Sequence, residues 1–189
     1  RALLDALDEW ATNGTPPPDS RVPTRAAETA VPAEVVRARF PNISGVICPD
    51  EASRLYVQDH GPDFDRGIVS TEPPEEDTHM EYAVLVPQVD ADGNETGGLK
   101  MPGVAVPLAT YTGWNFTNPD QGDPNTLVSL AGSYIPFQAT RAQRERANDP
   151  RPSIEERYAS RTDYLAQVET AGRALIGQRY LRAEDLAPI

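Results

Sequence analysis

The sequence predicts an α+β fold with a terminal scaffold helix, an irregular antiparallel hairpin at its centre and helices at its C-terminal end. Three observations carry that expectation. Leu3, Leu7 and Trp10 recur at helical spacing, and Leu4 and Ala6 widen the stripe. Residues 82–116 are the most apolar part of a polar chain and hold its clearest turn signal. Leu165, Val168, Leu175 and Ile176, with Tyr164 and Ala171, share one stripe of a long helix.

The central stretch reads as two strands. Tyr82, Val84 and Val86 would face one way and Ala83 and Leu85 the other, so both faces are apolar and call for cover on both sides. Asp92-Gly93 supplies a dipeptide that tolerates positive φ in a hairpin turn. The return strand would carry Val104, Val106, Leu108 and Thr110 on one face. Pro87, Pro102 and Pro107 cannot donate to a ladder and belong at strand ends, edges or bulges. Four segments follow: a first helix in 1–15, a Pro-rich and loop-rich extension in 16–80, the hairpin region in 81–137, and C-terminal helices in 138–189.

In chain order, the first helix stops at Asn13-Gly14, because Gly takes the left-handed conformation cheaply. Pro16, Pro17 and Pro18 cannot extend it, and the stiff exit through Pro23 reads either as a linker or as a strap pinned across a surface. Residues 32–39 read as a short helix before Phe40-Pro41. Residues 42–76 are loop-rich, with 55–57 and 67–70 as short strands. The acidic run from Pro73 to Asp77 reads as a solvated loop. Beyond the hairpin, residues 118–125 are dense in turn formers. Thr140 can cap one short helix, Ser153 and Glu156 have the spacing of a capping box for another, and Ser160 with Asp163 can start the last.

Composition excludes several functions. The net charge is −12 over 189 residues, which opposes binding to nucleic acid or to an anionic membrane surface. Lys100 is the single lysine among 17 basic residues, a bias that hints at a GC-rich genome. Cys48 is alone, so no internal disulfide or Cys-based zinc site is expected. No apolar run approaches the ~18 residues that span a bilayer, and no charged-then-apolar leader is visible. The first helix enters at full amphipathicity without a capping residue, which is expected of a segment that follows other protein.

No complete catalytic set is legible. A nucleophile elbow needs Gly-x-Ser-x-Gly, and the sequence has no match; Ser44 and Ser133 read as turn serines. Cys48 has no neighbouring His or cation in sequence to lower its pKa. His60 lies among Asp59 and Asp63, which could orient an imidazole, but a loop histidine bonded to its neighbours is the plainer reading; His79 is weaker still. Asp90, Asp92 and Glu95 resemble the start of a calcium loop. In that register Glu95 stands where Gly is required and Met101 where the bidentate Glu belongs, so a polar hairpin tip is expected instead. Four Asn-x-Ser/Thr sequons occur, at Asn13, Asn42, Asn94 and Asn115. Trp114 and Tyr111 flank a region near Gly113 that could line a pocket, although packing is the commoner use of such aromatics. Catalytic, cofactor-binding and metal-binding residues are therefore expected to be none within this chain.

Three blocks carry a resemblance. Residues 1–23 (RALLDALDEWATNGTPPPDSRVP), residues 85–115 (LVPQVDADGNETGGLKMPGVAVPLATYTGWN) and residues 132–165 (GSYIPFQATRAQRERANDPRPSIEERYASRTDYL) resemble the C-terminal region of large α/β-hydrolase domain-containing proteins. The resemblance implies the C-terminal portion of an α/β hydrolase, with the Ser nucleophile, the His and the acid all preceding the segment like residues 1–10. Residues 1–15 would then be the last helix of the hydrolase core, and the rest a region lying over the catalytic body. The implied function is scaffold, and a pocket wall, for a serine hydrolase acting on a small-molecule ester or amide. Its partner would be the upstream catalytic portion, with no cofactor, nucleic acid or membrane. The alternative is a non-catalytic binding or assembly module, and a weaker third is calcium-dependent carbohydrate binding at the hairpin tip. The compartment is not legible.

Overall fold

The computed structural model describes residues 1–50, 52 and 54–186; the last three residues of the C-terminal segment, and 51 and 53 in the loop-rich stretch, lie outside that description. Its strands are short and form three separate antiparallel pairs rather than one sheet.

Helix α1 (Ala2–Asn13) ends where the sequence says it should: Gly14 stands at φ 72° and its N–H donates to the Trp10 carbonyl. Arg1 gives no side-chain cap. Strand β1 (Ala30–Val31) precedes α2 (Ala33–Arg39), whose buried side chain is Val36. The Phe40 N–H closes α2 on the Val36 carbonyl at 2.8 Å, and Pro41 prevents continuation.

Strands β2 (Tyr56–Asp59) and β3 (Glu75–Glu81) then make an exposed ribbon, with a register shift at Tyr56/Val57. The expected strand at 55–57 thus exists, one residue on. The expected strand at 67–70 does not: it is loop, while the acidic run read as a solvated loop begins a true strand. Every residue of β3 is exposed, so no side-chain pattern could announce it. Charged side chains are what an exposed edge needs to discourage further pairing.

The central hairpin requires correction. Its turn is real, since Val89 bridges Glu95 and Gly93 turns at φ 80°. Its two strands do not pair with each other. Strand β4 (Val86–Pro87) pairs with β1, in register Ala30 to Pro87 and Val31 to Val86. The expected return strand begins as helix α3 (Pro102–Ala105), because Pro102 is preset for a first helical position. Only at β5 (Ala109–Thr112) does the chain become extended, and it pairs with β6 (Ser133–Pro136).

The C-terminal helices follow the sequence closely. Helix α4 (Arg141–Arg146) has a Thr140/Gln143 capping box, α5 (Ile154–Arg157) has one from Ser153 and Glu156, and Ser160 caps α6 (Arg161–Gly177) through the Asp163 N–H. The Tyr164–Ile176 stripe of α6 faces inward, and α3 packs on it. Gly172 is buried where Leu186 folds back: a Cβ there would stand 2.3 Å from Leu186 Cδ1, so a larger residue would have to displace the Leu186 side chain.

Glu156 is the best-held carboxylate of this region. Its Oε2 accepts from the Ser153 N–H at 2.8 Å and the Ser153 hydroxyl at 2.7 Å, and Arg144 donates to both oxygens. The backbone and hydroxyl bonds of Ser153, then Arg144, lower its pKa from 4.5 to about 2. A depressed folded pKa means stabilisation that is complete above the unfolded value and lost as pH falls through the folded one. The melting-temperature gap between the protein and Glu156→Gln should hold above pH 4.5 and close between 4.5 and about 2. A gap unchanged across that window would show that the ionised carboxylate is not what holds α5.

The core is small. Its apolar members are Ala6, Val36, Ile43, Val106, Ala109, Phe137, Tyr158 and Leu175. The largest fully buried side chain is Arg151, which places a charge where a larger hydrophobe is expected. Accessible area is 12901 Å², whereas a self-contained globular chain of this length exposes about 8,900 Å². Part of that excess lies in α1, and part in the exposed β2–β3 arm. Helix α1 meets the segment that follows α6 through its polar side: Arg1 pairs with Asp185 at 2.5 Å, Asp5 with Arg182 at 3.2 Å and Glu9 with Arg179 at 2.6 Å. The Pro-rich exit continues the same contact, with Arg179 donating to the Pro16 carbonyl and Tyr180 to that of Asp19. It is a pinned strap, not a free linker. Leu3, Leu4, Leu7 and Trp10 consequently point outward, each more than half exposed.

Among the described residues no helix is long and apolar enough to cross a membrane.

Candidate binding cleft

The chain folds one apolar cleft of about 280 Å³ between α2 and the end of β5. Val36 and Phe40 form one wall, Trp114 the other, and Val86 and Gly93 lie between them. The β1–β4 pair fixes α2 against the central turn. The turn is fixed by buried polar bonds. Asp90 accepts the N–H groups of Asp92 and Asn94 at 2.9 Å each. Asn94 then locks β5, donating to the Ala109 carbonyl at 3.1 Å and accepting from the Tyr111 N–H at 2.8 Å.

Gly93 is needed twice over. It holds φ 80°, and a Cβ would stand 2.9 Å from Phe40 Cε2. Phe40 thereby seats on the turn and meets Trp114, ring centroids 5.7 Å apart at 56°. Trp114 also meets Phe116 at 6.1 Å. Two rings at that angle give adjacent walls of a cage, not a filled stack.

Three titratable groups reach the cleft, and burial raises the pKa of each. The Glu95 carboxyl is pushed up by loss of water and pulled back by the positive charge of Lys100. It lies against Gly113, whose Cβ would stand 3.5 Å from Glu95 Oε1, and among the described residues it has no hydrogen bond. Burial pushes the Cys48 thiol up; Arg37 lowers it and Asp50 raises it again. Such a thiol is protonated and is not primed as a nucleophile. Burial also raises Tyr111, whose hydroxyl donates to the Gly103 carbonyl at 3.2 Å, outside the cage.

The other candidates disperse. His60 stacks on Phe64 at 4.5 Å; Asp59 instead accepts from the Gly61 N–H, and Asp63 from Arg66. His79 lies on exposed β3. Ser133 donates its hydroxyl to the Trp114 carbonyl at 3.0 Å, and Ser44 is an exposed turn residue. Asp92 is gripped by both terminal nitrogens of Arg157, one at 2.7 Å, so the three acids of the supposed calcium loop diverge. Among the described residues no three His, Cys, Asp or Glu side chains gather to hold a metal ion. Asn94 is 1% exposed with its amide fully engaged, so this sequon is inaccessible in the folded chain. The sequence marked Trp114 and Tyr111, beside Gly113, as candidate pocket residues, and all three line the cleft. It gave no sign that Phe40, Cys48 and Glu95 would join them, because such contacts are made by tertiary folding and not by local spacing.

A mixed arrangement of helices and small antiparallel pairs is consistent with a hydrolase-type domain. Comparison with protein families places it: the family model described as alpha/beta hydrolase domain matches residues 1–189, and the chain belongs to that family. No curated protein and no solved structure matches it.

Proposed function

We infer that the chain is a non-catalytic part of a serine hydrolase acting on an ester or amide bond, its C-terminal portion, with the Ser-His-acid set on preceding residues. Its role is to brace the catalytic body through α1 and to supply wall to the substrate pocket. The observation that carries this reading is the inverted packing of α1, polar side inward and apolar side out, in a member of a hydrolase family. Such a stripe marks an interaction surface. In the complete site, His activates Ser and backbone N–H groups hold the oxyanion, none of which needs a side chain of this segment.

Labelling the intact protein with a serine-directed fluorophosphonate, followed by peptide mapping, tests this. The expected adduct falls on a serine outside residues 1–189. An adduct on a serine of this chain, Ser44 and Ser133 included, overturns the reading. The competing reading, a binding or assembly module, is favoured by a cleft complete within this chain, and it expects no adduct anywhere.

A further inference from the structure

We propose that the Phe40–Trp114 cleft is a binding site for a small organic ammonium ion, held by the two ring faces and countered by the Glu95 carboxylate at its mouth. The site uses this chain's own residues and goes beyond the hydrolase reading.

Size comes first. About 280 Å³ lies just under the usual ~300 Å³ lower bound of drug-sized ligand pockets, so the occupant is small. The lining then selects its chemistry. Trp is the best aromatic partner for a cation, and Phe40 offers a second ring inclined at 56° to it. A cation resting against the open faces of this tilted pair meets the π-electrons, which a neutral group cannot exploit.

Electrostatics agree. Glu95, the one acid among the described residues that line the cleft, has no hydrogen bond among them and is raised by partial loss of water, so it gains from a cationic neighbour. Lys100 acts on it only at a distance, with no ion pair formed among the described residues. The other nearby cation, Arg37, is spent on Asp50 at 2.7 Å. A net charge of −12 raises the local concentration of cations around the whole chain. An acyl chain would fit the apolar walls but would leave the Glu95 carboxylate without an ionic partner.

The test is an NMR titration of the intact protein with choline and with 3,3-dimethylbutan-1-ol, its neutral isostere, following the Trp114 indole. Choline is expected to bind about tenfold more tightly than the alcohol. Glu95→Gln should weaken choline about tenfold and leave the alcohol unchanged, whereas Lys100→Gln should strengthen choline. Glu95 is exposed and Lys100 half-buried, and neither belongs to the buried core. Equal affinities, binding of neither compound, or insensitivity of choline to Glu95→Gln would each overturn the proposal. The outcome is separable from serine labelling: an adduct outside this chain with no choline binding would sink the cleft and spare the hydrolase reading. The converse result would do the opposite.

Discussion

Arg151→Ala should cost about 3–5 kcal/mol of stability, because it strands a buried carboxylate and leaves several acceptors without donors. All five guanidinium N–H groups are engaged. Nε and Nη2 reach the two oxygens of Asp149 at 2.9 and 2.7 Å. Nη1 donates to Thr110 Oγ1 at 2.8 Å and to the Ile135 carbonyl at 3.0 Å, and Nη2 also reaches the Pro136 carbonyl at 3.3 Å. The side chains of Arg151 and Asp149 are 1% and 5% exposed, so water cannot replace what is removed. Burial alone would push the Asp149 carboxyl up, but the bonds and charge of Arg151 outweigh it and hold it below the usual range. The cluster ties β5, β6 and the loop before α5 together, and Phe137 lies between Arg151 and Arg157, 5.1 and 3.9 Å from their guanidinium carbons. Urea titration measures the loss. Arg151→Lys should be nearly as harmful, since an ammonium lacks the planar fork. Removing both charges, as in Asp149→Ala with Arg151→Met, should recover part of the loss. If Arg151→Ala costs under 1 kcal/mol, the network is ornament, and the apolar residues alone hold this half.

Trp10→Asp should destabilise the intact protein by several kcal/mol. Inside this chain the substitution removes almost nothing, as Trp10 is 55% exposed and α1 contributes only Ala6 to the core. The ion pairs that hold α1 to the segment after α6 are largely solvent-exposed and worth little each. On the proposed reading, the driving force for docking lies on the other face. Full burial of Leu3, Leu4, Leu7 and Trp10 is worth roughly 1.5–3 kcal/mol for each side chain, an upper bound because unfolded chains already hide some of this area. A charge placed at the centre of that face forfeits much of the sum. Differential scanning calorimetry reads it. A melting temperature unmoved by Trp10→Asp would mean that nothing covers the stripe.

What was legible in the sequence follows from how each element is stabilised. Helices α1, α4, α5 and α6 announce themselves because their signals are local: an apolar stripe, a capping hydroxyl, a stop glycine. Asp92-Gly93 marked a true turn for the same reason. The strands around it were misassigned because pairing is a non-local choice. Val86 matches Val31, and Thr110 matches Ile135, across separations that no alternation pattern encodes. Strand β3 was hidden by its exposure, since a ribbon with no buried face needs no apolar period. Arg151 was hidden differently: flanked by Pro150 and Pro152, it looks like a surface residue ending a helix. Trp114 was legible as a pocket aromatic, whereas its partners Phe40 and Glu95 arrive by tertiary folding alone.

Hydroxyl-radical footprinting of the intact protein at α1 is the most direct measurement of the central claim, that this chain is built to be covered. Trp10 and the three leucines are reactive side chains that stand more than half exposed on this chain alone. The account predicts that they are protected in the intact protein, oxidising several-fold more slowly than the equally exposed Ile68 and Met80 of the β2–β3 arm after correction for intrinsic reactivity. Oxidation of Trp10 at the rate its open position here implies would contradict it.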